Sequence, residues 1–116
     1  AAARAASGPT TEAMEALNQV HRRGFGNDPE TPSAVDFDIA DYDATSFVDL
    51  VLRERAYEFI FEGKRWYDLK RTGTAAATIL DVKGITIAEK HYLWPIPTAE
   101  LDFNDLMGPE DQNPGY

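Results

Sequence analysis

The chain has 116 residues and a mass of 12.9 kDa, with 43% hydrophobic residues, no cysteine and a net charge of −9. That length suits one domain, and that apolar content can supply a core, which excludes global disorder. A pI near 4.5 excludes nucleic acid and anionic membrane surfaces as partners, and the missing cysteine excludes disulfides, thiolate catalysis and sulfur-ligated zinc.

In chain order, Ala1 to Ala6 reads as helix, stopped by Ser7-Gly8-Pro9. The opening AAARAASG has no initiator Met and reads as the tail of a helix already under way, so the chain is expected to be a piece of something longer. Thr10 or Thr11 caps the next helix, with Glu12 in its positive first turn. Met14, Leu17 and Val20 form a narrow apolar stripe, Arg22 and Arg23 occupy the last turn, and Gly24 is the expected residue just beyond it. Residues 1–23 thus read as a helical hairpin, the unit of helical repeat arrays.

Residues 24–45 change character. GFGNDPETPSAVDFDIADYD carries Asp28, Glu30, Asp36, Asp38, Asp41 and Asp43 with no base among them. Clustered oxygens suit Ca²⁺, but counted from Asp36 the sixth position is Asp41, not Gly, and the twelfth is Phe47, not Glu. The reading preferred here is a solvated acidic loop partly anchored by Phe37, Ile39 and Tyr42.

A capping box is read at Ser46-Phe47-Val48-Asp49, opening a helix over residues 46–71 that continues or kinks through Gly63. At 100° per residue, Arg55, Glu58, Glu62 and Arg65 fall close together, and apolar residues take nearly every other direction. A helix apolar almost all round is a buried one, and buried charges must be paired. The segment is therefore expected to be an internal helix carrying an ionic network of Glu54, Arg55, Glu58, Glu62 and Arg65, extended by Asp68 and Arg71. Glu54, Glu58 and Glu62 superficially match the spacing of a glycosidase pair. A general acid needs a raised pKa, however, and neighbouring guanidiniums lower it. No catalytic residue is assigned and the chain is not read as an enzyme.

Residues 72–116 read as an irregular, Pro-rich tail. TAAATIL suggests a helical turn or two, KGITIAEKHYLW a short hairpin or strand pair around Gly84, and TAEL a turn. His21 and His91 are isolated, so neither is assigned to a metal, and no cofactor motif is present. Trp66 reads as packing within its helix, whereas Tyr92 and Trp94, beside prolines, are kept as ligand-stacking candidates. The fold class expected is mainly α: a helical hairpin, a long buried helix and an irregular tail.

Two stretches resemble a known family. RERAYEFIFEGKRWYDLKRTG is similar to a signature segment of SusD/RagB-type outer-membrane nutrient-binding lipoproteins, through Glu54, Arg55, Glu58, Phe61, Glu62, Gly63, Arg65, Trp66, Asp68, Leu69 and Arg71. YLWPIPTAELDFN and the final QNPGY resemble that family's carboxy-terminal ending, through Pro95, Ile96, Pro97, Glu100 and Gln112 to Tyr116. Ala56 stands where the family usually has Arg, Ile60 where a small residue is common, and DLMGPED replaces the more usual run before QNPGY.

The resemblance implies tetratricopeptide-like hairpins, with residues 1–116 as the carboxy-terminal part of a larger domain. It implies a lipid anchor outside this segment, on the extracellular face of the outer membrane of Bacteroidetes. The implied partners are a SusC-like TonB-dependent transporter, an oligosaccharide or other nutrient, and the remainder of its own chain. The resemblance carries over no sugar-binding residue. The alternative is a helical-repeat module that binds a protein and has no small ligand of its own; a glycoside hydrolase is the third reading.

Overall fold

The structure is a computed structural model that describes residues 8–116. The expected helix at Ala1 to Ala6, and with it the first arm of the hairpin, lies outside the described residues. Five α-helices follow in order: α1 (Thr11–Gly24), α2 (Ala44–Glu58), α3 (Lys64–Thr72), α4 (Ala75–Lys83) and α5 (Thr98–Phe103). Short 3-10 turns occupy Ile39–Asp41, Glu89–Tyr92 and Pro109–Asp111, and no strand occurs among the described residues. The mainly helical class holds. The strand pair around Gly84 does not form; helix α4 runs to Lys83 and Gly84 ends it, its N–H bonding to Leu80 O at 2.8 Å.

The chain divides into two compact units, one ending at Arg65 and one comprising Trp66–Tyr116. In the first, Thr10 caps α1, its hydroxyl accepting from Ala13 N at 3.2 Å. The helix closes one residue later than expected. Phe25 is the cap, and Gly26 (φ +75) takes the left-handed position that a side chain would resist. Gly26 N–H then bonds to Arg23 O at 3.0 Å and Asn27 N–H to Arg22 O at 2.9 Å, the paired bonds of a Schellman end.

Helix α2 starts two residues before the expected Ser46. Asp43 is its cap, with Oδ1 accepting from Thr45 N at 2.9 Å and Ser46 N at 2.8 Å, while Ser46 Oγ accepts from Asp43 N at 2.9 Å. Ser46 is therefore the third helical residue of the capping box, not its first. A charged carboxylate is a stronger acceptor for the exposed N–H groups than a hydroxyl, so the box settles three residues earlier.

The single helix expected over 46–71, continuous or kinked at Gly63, is broken into two. Helix α2 ends at Glu58, residues 59–63 turn, and α3 begins at Lys64. Phe61 adopts φ +66 and Gly63 φ +70, neither of which a helix permits. Phe59-Ile60-Phe61 is a run of weak helix formers ahead of a glycine. The turn also lets Arg55 and Lys64 flank the Phe59 ring, at 5.0 Å and 4.0 Å from its centroid. In an unbroken helix Lys64 would lie about 140° round from Phe59. Nor is the segment buried all round: Tyr57 and Ile60 are largely exposed and Phe61 is 99% exposed.

The core of the first unit is Met14 from α1 against Phe47 and Leu50 from α2, with Ala13, Leu17, Phe37, Tyr42 and Val51 packed around them. In the second unit Leu69 and Ala75 are buried, and Trp66 stacks on Tyr92 at 5.7 Å and 25°.

Candidate functional site

The inward stripe of α1 is Met14, Asn18 and Arg22, at i, i+4 and i+8. Two of the three are polar, so each must find partners away from water. Asn18 bonds both backbone groups of Phe37: its Oδ1 accepts from Phe37 N at 2.9 Å and its Nδ2 donates to Phe37 O at 3.1 Å. Arg22, 1% exposed, makes five bonds. Its Nε and one terminal nitrogen donate to the two oxygens of Asp36 (2.7 and 2.5 Å), and its terminal nitrogens donate to Glu15 (2.7 and 2.9 Å) and to Pro29 O (2.8 Å). A guanidinium fork suits this double bidentate capture, which a lysine could not reproduce. The Arg22 bonds hold both carboxyls below the usual carboxylate range, and those acids raise the Arg22 pKa further still.

The acidic loop is thus spent on structure. Asp36 is gripped by Arg22, Asp28 accepts from Glu30 N at 3.0 Å and the Thr31 hydroxyl at 3.1 Å, and Asp38 accepts from Ala40 N at 2.9 Å. Asp43 caps α2, and its bonds from Ser46 and Thr45 hold its pKa low. Among the described residues no three His, Asp or Glu side chains stand where they could hold a metal ion.

The charged signature residues are distributed as follows. Glu54 Oε2 lies 2.9 Å from His21 Nδ1 on α1; an ionised carboxylate can only accept, so Nδ1 carries the hydrogen. Glu58 meets Arg23 of α1 at 2.5 Å, Glu62 meets Lys64 at 2.8 Å, and Arg65 donates to Leu52 O at 3.0 Å. Arg55 rests over Phe59, and Asp68 pairs with Arg71 at 2.8 Å. Glu54 and Asp68 are buried; Glu58, Glu62, Arg65 and Arg71 are exposed. His21 packs against Phe25 and Phe37 at 4.9 and 4.2 Å, and His91 Nδ1 accepts from Ala88 N at 2.8 Å.

In the second unit the final QNPGY folds back onto YLWPIP. Gln112 Oε1 accepts from Ile96 N at 2.8 Å and its Nε2 donates to Ile96 O at 3.0 Å, the same double grip that Asn18 applies to Phe37. Asn113 donates to Trp94 O at 2.6 Å, and the Tyr116 hydroxyl lies 3.0 Å from Lys90 O and 3.1 Å from Leu93 O. Of the two ligand candidates, Tyr92 is stacked on Trp66 and its carbonyl receives Lys70 Nζ at 2.6 Å. Trp94 is held by its backbone carbonyl, and the residue is 84% exposed.

Sequence reasoning missed Asn18 and the inward role of Arg22, for which the i, i+4, i+8 spacing from Met14 was the available signal; Gln112 was singled out through the resemblance of QNPGY, but not its grip on Ile96. No helix among the described residues is long and apolar enough to cross a membrane.

No solved structure gives a significant match. Two curated relatives come from Formosa agariphila. SusD-like protein P38 is 32% identical over 112 residues, covering 94% of this chain and 20% of that protein. SusD-like protein P2 is 36% identical over 72 residues, covering 59% of this chain and 14% of its own length. The chain therefore spans about a fifth or less of the length of the curated relatives it matches. A family model described as the SusD family matches residues 1–89. With 89 of its 116 residues matched in this way, the chain belongs to the SusD family.

Proposed function

We propose that the chain is the carboxy-terminal, scaffolding part of a cell-surface protein that binds a glycan or other nutrient without chemically altering it. That protein would hand its cargo to a SusC-like TonB-dependent transporter at the outer membrane, anchored on the extracellular face by a lipid outside this segment. Family membership supports the class of protein.

The observation that carries the scaffolding role is how the signature residues are used. Glu54, Glu58, Glu62 and Asp68 each meet a basic side chain: His21, Arg23, Lys64 and Arg71. A carboxylate already bonded to a cation makes a poor general acid. QNPGY, likewise, is bonded to the backbone of the preceding segment. Trp94 remains the residue of this segment best presented to a sugar face, since the residue is exposed while its backbone carbonyl is bonded.

The test is affinity electrophoresis of the full-length protein across a panel of polysaccharides, with capture of the transporter from solubilised outer membranes. Retardation by one polysaccharide together with co-capture of a TonB-dependent transporter supports the reading. Capture of a protein partner with no retardation by any glycan or peptide supports the interaction-module reading instead.

A further inference from the structure

A cleft of about 400 Å³ opens in the first unit between the carboxy-terminal ends of α1 and α2, lined among others by His21, Phe25, Glu54, Tyr57 and Glu58. Its character is aromatic and anionic. Phe25 and Tyr57 leave 64% and 65% of their surfaces uncovered. Glu54 is 8% exposed and spends Oε2 on His21, while among the described residues its Oε1 has no hydrogen-bond partner. Among the described residues no buried side-chain oxygen is left without a partner, so Oε1 is the oxygen that reaches solvent, on a residue that lines the cleft. Both helices end here, at Gly24 and Glu58, and so add the partial negative charge of their carbonyl ends. Arg23, which is not part of the lining, takes one Glu58 oxygen, and His21 is the basic group within it.

Open aromatic faces, a carboxylate with a free oxygen and two negative helix ends all favour a cation over a neutral hydroxyl. We propose that this cleft binds a primary ammonium group on a short carbon frame, with Glu54 Oε1 accepting its hydrogen and Phe25 and Tyr57 flanking it. The same chemistry is offered by an amino sugar and by a lysine side chain. The site rests on the geometry of the cleft and not on the nutrient-delivery reading.

The experiment is calorimetric titration of the full-length protein at neutral pH with n-butylamine, and with n-butanol as its uncharged counterpart. Saturable binding of the amine but not the alcohol is expected, weakened about tenfold or more in Glu54→Gln, which keeps the shape and loses the charge. Equal binding of amine and alcohol, or full affinity in a folded Glu54→Gln, overturns the proposal. Should Glu54→Gln not fold, Tyr57→Ala, at an exposed position, decides. A loss of about threefold or more supports the site, and unchanged affinity overturns it. Glucosamine and Nα-acetyl-lysine amide separate the sources: tighter binding than n-butylamine by one of them identifies the natural ligand class. Binding of neither above the alcohol overturns the proposal.

Discussion

Asn18 holds Phe37 by both of its backbone groups, accepting from the N–H at 2.9 Å and donating to the carbonyl at 3.1 Å. One side chain on α1 thereby replaces the partner strand that an extended loop would otherwise need. Asn18→Ala is expected to lower the unfolding free energy by about 2 kcal/mol, because two backbone groups lose their partners in a largely enclosed site. Asn18→Leu, which refills the space, is expected to recover none of that. Urea denaturation checks both; a leucine variant as stable as the parent would show that volume and not bonding matters.

The Arg22 clamp makes the first unit acid-sensitive. Glu15 and Asp36 ordinarily titrate at 4.5 and 3.8, and bonding to Arg22 lowers both in the folded chain. A depressed folded value contributes stability that is fully present above the unfolded value and is lost as pH falls through the folded one. The thermal midpoint should therefore be flat from neutrality to about pH 5 and then fall through the pH 4 region and below. Arg22→Met should be destabilised at neutral pH and show a much shallower acid decline. An equally steep decline in that variant would place the acid sensitivity elsewhere, with the Asp43 cap of α2 as the next group to test.

The tail closes on Gly115, whose φ is +92 and whose missing side chain would meet Lys90 Cβ at 3.0 Å and Cδ at 3.1 Å. Gly115→Ala combines left-handed strain with a tight contact, and should weaken the closure by about 1–3 kcal/mol. Hydrogen exchange at the amides of Ile96 and Asn113, both bonded to Gln112 Oε1, reports it. Exchange should quicken there and stay unchanged at Phe37.

Phe61 sits at φ +66 with 99% of its surface exposed. It carries the cost of a left-handed residue, about 1 kcal/mol, without packing to offset it. Phe61→Gly should be neutral or more stable by about 0.5 kcal/mol, since glycine's greater unfolded entropy offsets part of the relief. A loss above about 1 kcal/mol would mean that the ring is buried against something in the whole protein.

Much of this arrangement was legible in the sequence. Helix content, a threonine cap at the start of α1 and the close of α3 near Gly73 follow from local rules that the chain obeys, whereas the acidic loop, read as solvated, is bonded through Asp36 to the buried Arg22. The break at residues 59–63 was hidden because a lone glycine is affordable in a helix, whereas the decisive contact, Lys64 folding back over Phe59, is visible only in three dimensions. The strand pair failed because Ile85 to Ile87 alternates over too few residues to specify a sheet, while Thr74 to Lys83 had length enough for a helix. Arg22 was read as a charge at a helix end when it is the most enclosed large side chain of the first unit, alongside Phe47. Hydrophobic periodicity does not see a polar residue on the inward face.

The most direct test is mass spectrometry of oligosaccharides incubated with the full-length protein, over the panel that it binds. Recovery of every bound oligosaccharide at its starting mass, with Glu58→Gln binding as the parent does, is the predicted result. Shorter sugars that appear with the parent and vanish with a folded Glu58→Gln would contradict the account, and would make the pair of Glu58 and Arg23 part of an active site.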